Sequence, residues 1–134
     1  AFLGGQGVPA EHLVLSHTDK VVDAGYHREI LSTGAFLEYD QSFRGDGPAG
    51  TLALLEAVVA DGLGGQVLLG HDAARRSYLG VYGGTPGLGW LLGEFSRLLL
   101  ERGIPQVVID EFFVANPARA FAFASPALPE VAAP

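Results

Sequence analysis

Three apolar runs, each closing on an acid or a histidine, constrain the fold of this 134-residue chain more than any other feature. They are HLVLSH at 12–17, AFLEYD at 35–40 and QVLLGHD at 66–72. None alternates strictly between apolar and polar residues, as expected when helices cover both faces of a parallel strand. A stretch with helical spacing follows each run. The first, 23–32, ends before Thr33 and Gly34, whose glycine can take the left-handed backbone that stops a helix. The second, 51–63, places Leu52, Leu55, Val59 and Leu63 on one side and closes at Gly64. In the third, Leu88, Leu91, Leu92, Phe95, Leu98 and Leu99 follow the helical period and ERG ends it. Strand and helix in alternation predict an α/β protein with a parallel sheet and right-handed crossovers.

Past Pro105, QVVIDEFF reads as a short helix, and NPARAFAF opens with Asn116 as an N-cap and Pro117 at the first helical position. The Pro- and Ala-rich stretch 126–134 is expected to be a loose tail. Residues 1–11 read as the end of a helix and its loop. Three parallel strands leave both sheet edges open, so 1–125 is expected to be the last part of a larger α/β domain. The chain begins with Ala1 and contains no methionine, which places the expected natural start upstream.

An apolar fraction of 49% supports a packed core. The formal charge of -7, with eight scattered Lys and Arg, disfavours nucleic acid, because no basic stripe replaces the counterions of phosphates. Without cysteine, any bound metal must use histidine and carboxylate ligands. No apolar stretch reaches the ~20 residues of a membrane span, and the first residues lack the order of a signal peptide. The expected compartment is the cytoplasm, subject to any targeting segment upstream.

Functional residues of parallel α/β folds collect where strands end, and His17, Asp40 and Asp72 sit there. A carboxylate buried at such a position costs several kcal/mol, on the order of other isolated buried charges, unless something compensates it. A divalent cation would do so. Hydrogen bonds to loop amides, or a capping role on the next helix, would do so as well. Asp40 could orient a metal ligand or pair with Arg44. His71 points away from its neighbour Asp72 if the strand continues, which suits a packed histidine. Arg75, Arg76, Tyr78 and Tyr82 follow the third run, where substrate contacts concentrate, and equally suit an ordinary surface. YGGTPGLG could cradle a phosphate through glycine amides or form a turn or lid. His12 and His27 read as solvated, and Trp90 and Phe95 as the buried side of a helix.

Taken in order, VLSHTDK, GAFLEYDQSFR, VLLGHDAARR, YGGTPG and VANPARAF resemble the carboxyl-terminal part of the phosphotriesterase family of amidohydrolases, especially its phosphotriesterase-related branch. The likeness runs from about Glu11 to Phe123. It implies strands six to eight of a (β/α)8 TIM barrel with two divalent metal ions, expected to be zinc, at its carboxyl face. By this resemblance His17 matches the sixth-strand histidine that binds the more exposed metal. Asp72 matches the eighth-strand aspartate that binds the buried metal and takes the proton of the bridging hydroxide, which makes it both ligand and catalytic group. Asp40, Gln41, Arg75 and Tyr82 are the expected substrate-side residues. The implied reaction is attack by metal-activated hydroxide on an ester, lactone or phosphoester.

Two departures bear on the substrate. Family members that hydrolyse organophosphates carry a histidine where this chain has Gln41, and a carboxylate where it has Lys20. Their proton relay is therefore missing, and an ester or lactone is expected instead. The family's first-strand HxH pair, bridging fourth-strand residue and fifth-strand histidine have no counterpart in this sequence and are expected upstream. Alone, the chain would offer one ligand to each metal and should be inactive. Its expected partners are a small-molecule substrate and the amino-terminal part of the same barrel, with a homodimer left open. Other readings are a binding protein that keeps the barrel without turnover, and a small α/β domain that binds a phosphorylated ligand at Gly83 to Gly89.

Overall fold

Parallel pairing of three short strands organises residues 2–122, the part of the chain that a computed structural model describes. The expected tail at 126–134 lies outside the described residues. Helix α1 (Phe2–Gly5) leads through a 3-10 turn to strand β1 (Val14–Leu15), helix α2 (Ala24–Leu31) and strand β2 (Phe36–Tyr39). Helix α3 (Ala49–Ala60), strand β3 (Val67–Leu69) and helices α4 (Ser96–Glu101), α5 (Gln106–Asp110) and α6 (Asn116–Ala120) follow. The strands lie in the order β1-β2-β3, with Val14 opposite Phe36 and Leu37 opposite Val67. No helix among the described residues is long and apolar enough to cross a membrane.

Strand β2 is central. Leu37 and Tyr39, on one face, lie in the core shared with the helices, whereas the other face begins with buried Phe36 and turns polar at Glu38 and Asp40. The core continues through Leu52, Leu55 and Val58 of α3, Val67 of β3, Phe95 and Leu99 near α4, and Ile109 and Phe112 near α5. Strand β1 is less covered, and Leu15 is exposed.

The helix boundaries refine the sequence reading. Asp23 caps α2 by accepting from the amides of Gly25 at 2.8 Å and Tyr26 at 3.2 Å, and Gly34 has a φ of 93° beyond its end. Helix α3 stops earlier than expected. Gly62, with a φ of 72°, closes it, and the amides of Gly62 and Leu63 return to Val59 and Val58 at 3.0 Å each. Gly64 instead packs against Phe112 and Val59.

Leu91, Phe95 and Leu99 are buried as the helical spacing predicts, but Leu88 and Leu92 are exposed. Leu88 precedes the helix, and π-type turns over Leu91–Phe95 shift the phase of the helical face. Asn116 is not an N-cap. It lies inside a continuous helical run, where π-type turns over Glu111–Ala115 accommodate Pro117, which has no N–H to donate. Its buried side-chain amide donates to the carbonyls of Gly64 at 2.9 Å and Val67 at 2.7 Å, joining the helix to the entry of β3. His27 is also buried rather than solvated, held between the Tyr39 hydroxyl at 2.6 Å and the Val21 carbonyl at 2.7 Å.

Candidate functional site

Each strand delivers its polar residue just past its last paired position. Among the described residues, His17 with φ 60° and Asp72 with φ 39° are the two non-glycine residues in left-handed backbone. That conformation costs most L-residues roughly 1–2 kcal/mol and is tolerated best by Asn, Asp and His. It ends the extended path after β1 and β3 and turns both side chains toward the end of β2. There His17, Asp40 and Asp72 each offer a donor atom, and these atoms all lie within 4.8 Å of one another. One imidazole nitrogen and two carboxylates suit a zinc-like divalent ion.

Hydrogen bonds order the group. The two oxygens of buried Asp40 lie 2.7 and 2.9 Å from His17 Nδ1, so this nitrogen donates to the carboxylate, and in the neutral ring Nε2 is the one that carries a lone pair. Asp40 thus bonds the His17 ring and makes no ion pair with Arg44. Arg44 pairs instead with Asp72, its guanidinium 2.7 Å from Oδ2 and also bonded to the Asp72 carbonyl. The Gln41 amide donates to Asp40 and, at 3.3 Å, to Asp72. Gly70 makes the approach of β3 feasible, because a Cβ there would come within 3.0 Å of Asp40 Cβ.

A second buried carboxylate holds this platform from behind. Asp19 accepts from the amides of Asp40 at 3.2 Å and Gln41 at 2.9 Å, and from the Thr51 hydroxyl at 2.8 Å. The sequence reading gave Asp19 no role, although its place two residues after His17 was the available signal. Next to it, Tyr39 donates its hydroxyl to His27 Nδ1, and its pKa is pushed well above the ordinary tyrosine value, first by burial and then by the charge of Asp19.

A cavity of about 400 Å³ opens beside the group, lined in part by Gln41, Arg44, Gly47 and Lys20, the single lysine of the chain. Arg75 and Tyr82 lie on the exposed loop after β3. Among the described residues neither shares a hydrogen bond or ion pair with His17, Asp40 or Asp72; Arg76 stacks over Tyr82 at 4.3 Å. His71 packs at 4.7 Å from the Phe43 ring, and its Nε2 donates to the Gly87 carbonyl at 2.9 Å, so it stands apart from the group. In the YGGTPGLG segment the amides of Gly83, Gly84 and Gly87 are already bonded to the carbonyls of Gly80, Leu79 and Tyr78.

The family model described as the Phosphotriesterase family matches residues 1–121. A curated N-acetyltaurine hydrolase of Salmo salar is 28% identical over 123 residues, which are 82% of this chain and 35% of that protein. The Phosphotriesterase homology protein of Escherichia coli is 29% identical over 125 residues, 90% of this chain and 42% of that protein. Among solved structures, a lactonase from Listeria monocytogenes superposes with a TM-score of 0.83 at 31% identity, covering 92% of this chain and 40% of the lactonase. The chain thus spans well under half the length of each of these proteins.

Proposed function

Because the chain belongs to the phosphotriesterase family and corresponds to the carboxyl-terminal part of its TIM barrel, we propose that it carries one side of the active centre of a metal-dependent hydrolase. The observation that carries this reading is the convergence of His17, Asp40 and Asp72 at the ends of three parallel strands, within 4.8 Å of one another. Divalent ions held there would supply Lewis acidity that polarises the substrate's acceptor oxygen and makes water nucleophilic near neutral pH.

The residues divide the work. His17 would offer Nε2 as ligand while Asp40 fixes the ring from Nδ1. Asp72 would act as ligand and proton acceptor, with Arg44 balancing its charge. Gln41 donates to both carboxylates and has no titrating group, so it orients them without relaying a proton. Two zinc ions need about three or four protein ligands each, and residues outside this sequence would supply the remainder. Arg75 and Tyr82 would contact substrate from the loop after β3. The salmon relative is an N-acetyltaurine hydrolase and the Listeria neighbour a lactonase, which favours an acyl carbon in an ester, lactone or amide over phosphorus.

The full-length protein should hold about two divalent ions per chain, measured by elemental analysis. Chelation should remove them together with lactonase, esterase or amidase activity. H17A and D72A should each lower kcat/KM by about 100-fold or more. Undiminished activity in the demetallated protein would overturn the assignment.

A further inference from the structure

The turn after β1 replaces a backbone ladder with side chains. Pairing between β1 and β2 ends at Leu15 and Leu37, because the left-handed His17 diverts the chain. Beyond that point β2 still presents the Glu38 carbonyl and the Asp40 amide on its β1 side, and buried backbone groups require partners. The Thr18 hydroxyl donates to the Glu38 carbonyl at 3.1 Å, and the Asp19 carboxylate receives the amides of Asp40 and Gln41. The Thr51 hydroxyl at the start of α3 completes the coordination of Asp19. Asp19 is 4% exposed, and among the described residues no cation lies within ion-pair distance of it. Three directed donors stabilise its charge.

We propose that Asp19 is a positioning residue for the metal-binding group: it fixes the backbone from which Asp40 reaches the His17 ring and Gln41 reaches Asp72. A carboxylate is required because all three neighbours are donors; an Asn would turn an NH2 toward one of them, leaving an N–H unsatisfied and rotating the Asp40–Gln41 peptide. The effect would reach the centre through Asp40, whose carboxylate holds Nδ1.

The kinetic half of the test rests on the hydrolase reading and the spectroscopic half does not. In the full-length demetallated protein, nitrogen-15 NMR should show the His17 Nδ1 proton protected by Asp40. In D19N that signal should be lost, while the His27 Nε2 proton, held by the Val21 carbonyl in the core, persists as a mark of an intact fold. At saturating metal, D19N should lower kcat by about 10- to 100-fold while KM changes less than about threefold. T51V, which removes one of the three donors, should give a smaller change in both readouts, and T51S should restore them.

A D19N protein with the wild-type His17 signal and kcat, or one that only melts earlier with both unchanged, would refute the proposal. Should D19N fail to fold, T51V decides: wild-type values in both readouts overturn it. A wild-type protein without hydrolase activity would refute the hydrolase reading instead, and the His17 signal would still decide the role of Asp19.

Discussion

Tyr39 makes a prediction that depends on a single hydroxyl group. Burial and the nearby Asp19 charge raise its pKa in the folded chain above the ordinary value of 10.0. The folded state therefore favours the protonated phenol, and the unfolded state releases the proton first. This contribution is complete below pH 10 and is lost as pH rises from there toward the folded pKa. Urea unfolding from pH 8 to 11 should show stability falling above about pH 10, and Y39F should flatten that decline while costing about 1 kcal/mol at neutral pH through the lost bond to His27. The same scale shows what a sequence can disclose. The strand-end positions of His17 and Asp72 were legible because each breaks an apolar run, while the roles expected of them came from the family resemblance. The partners of Asp19 were not, since they come from 40, 41 and 51, brought to it only by the crossover through α2 and by the start of α3. The pairing of Arg44 with Asp72 was hidden for the same reason.

At the scale of elements, the buried Asn116 amide joins the α6 segment to the entry of β3. N116A would leave two carbonyls without their donor inside the core and should destabilise the fold by about 2–3 kcal/mol, read from chemical denaturation. The sequence suggested a cap there because Asn followed by Pro commonly opens a helix. The π-type turns that carry the helix through Pro117 depend on packing against β3, which local pattern does not encode. Where a boundary is set locally it was readable: Asp23 starts α2, and Gly34 marks its end. Where two glycines competed, at 62 and 64, space decided. Gly62 faces open room and takes the left-handed turn, whereas Gly64 is pressed against Phe112.

For the molecule as a whole, alternation of strand and helix was enough to predict a parallel α/β sheet, because a parallel pair needs a crossover between its strands. One side of the sheet stays open. Leu15 on β1, with Phe2, Leu3 and Tyr26 around an adjacent apolar groove, is exposed, and Val21 and Val22 lie uncovered in the turn beyond. An unpaired strand edge beside apolar surface promotes association. The 134-residue chain produced by itself should therefore form larger species as its concentration rises in sedimentation velocity, and substitution of Leu15 and Tyr26 by lysine should reduce them; a concentration-independent monomer would contradict this.

One contact near the group has a practical use. The chain has a single tryptophan, and the indole N–H of Trp90 donates to the buried hydroxyl of Ser42 at 3.1 Å, next in sequence to Gln41. Its fluorescence therefore senses the same short segment that presents Asp40 and Gln41. Emission from the unmodified polypeptide can report a change in that segment when ions or small molecules arrive, without any attached dye.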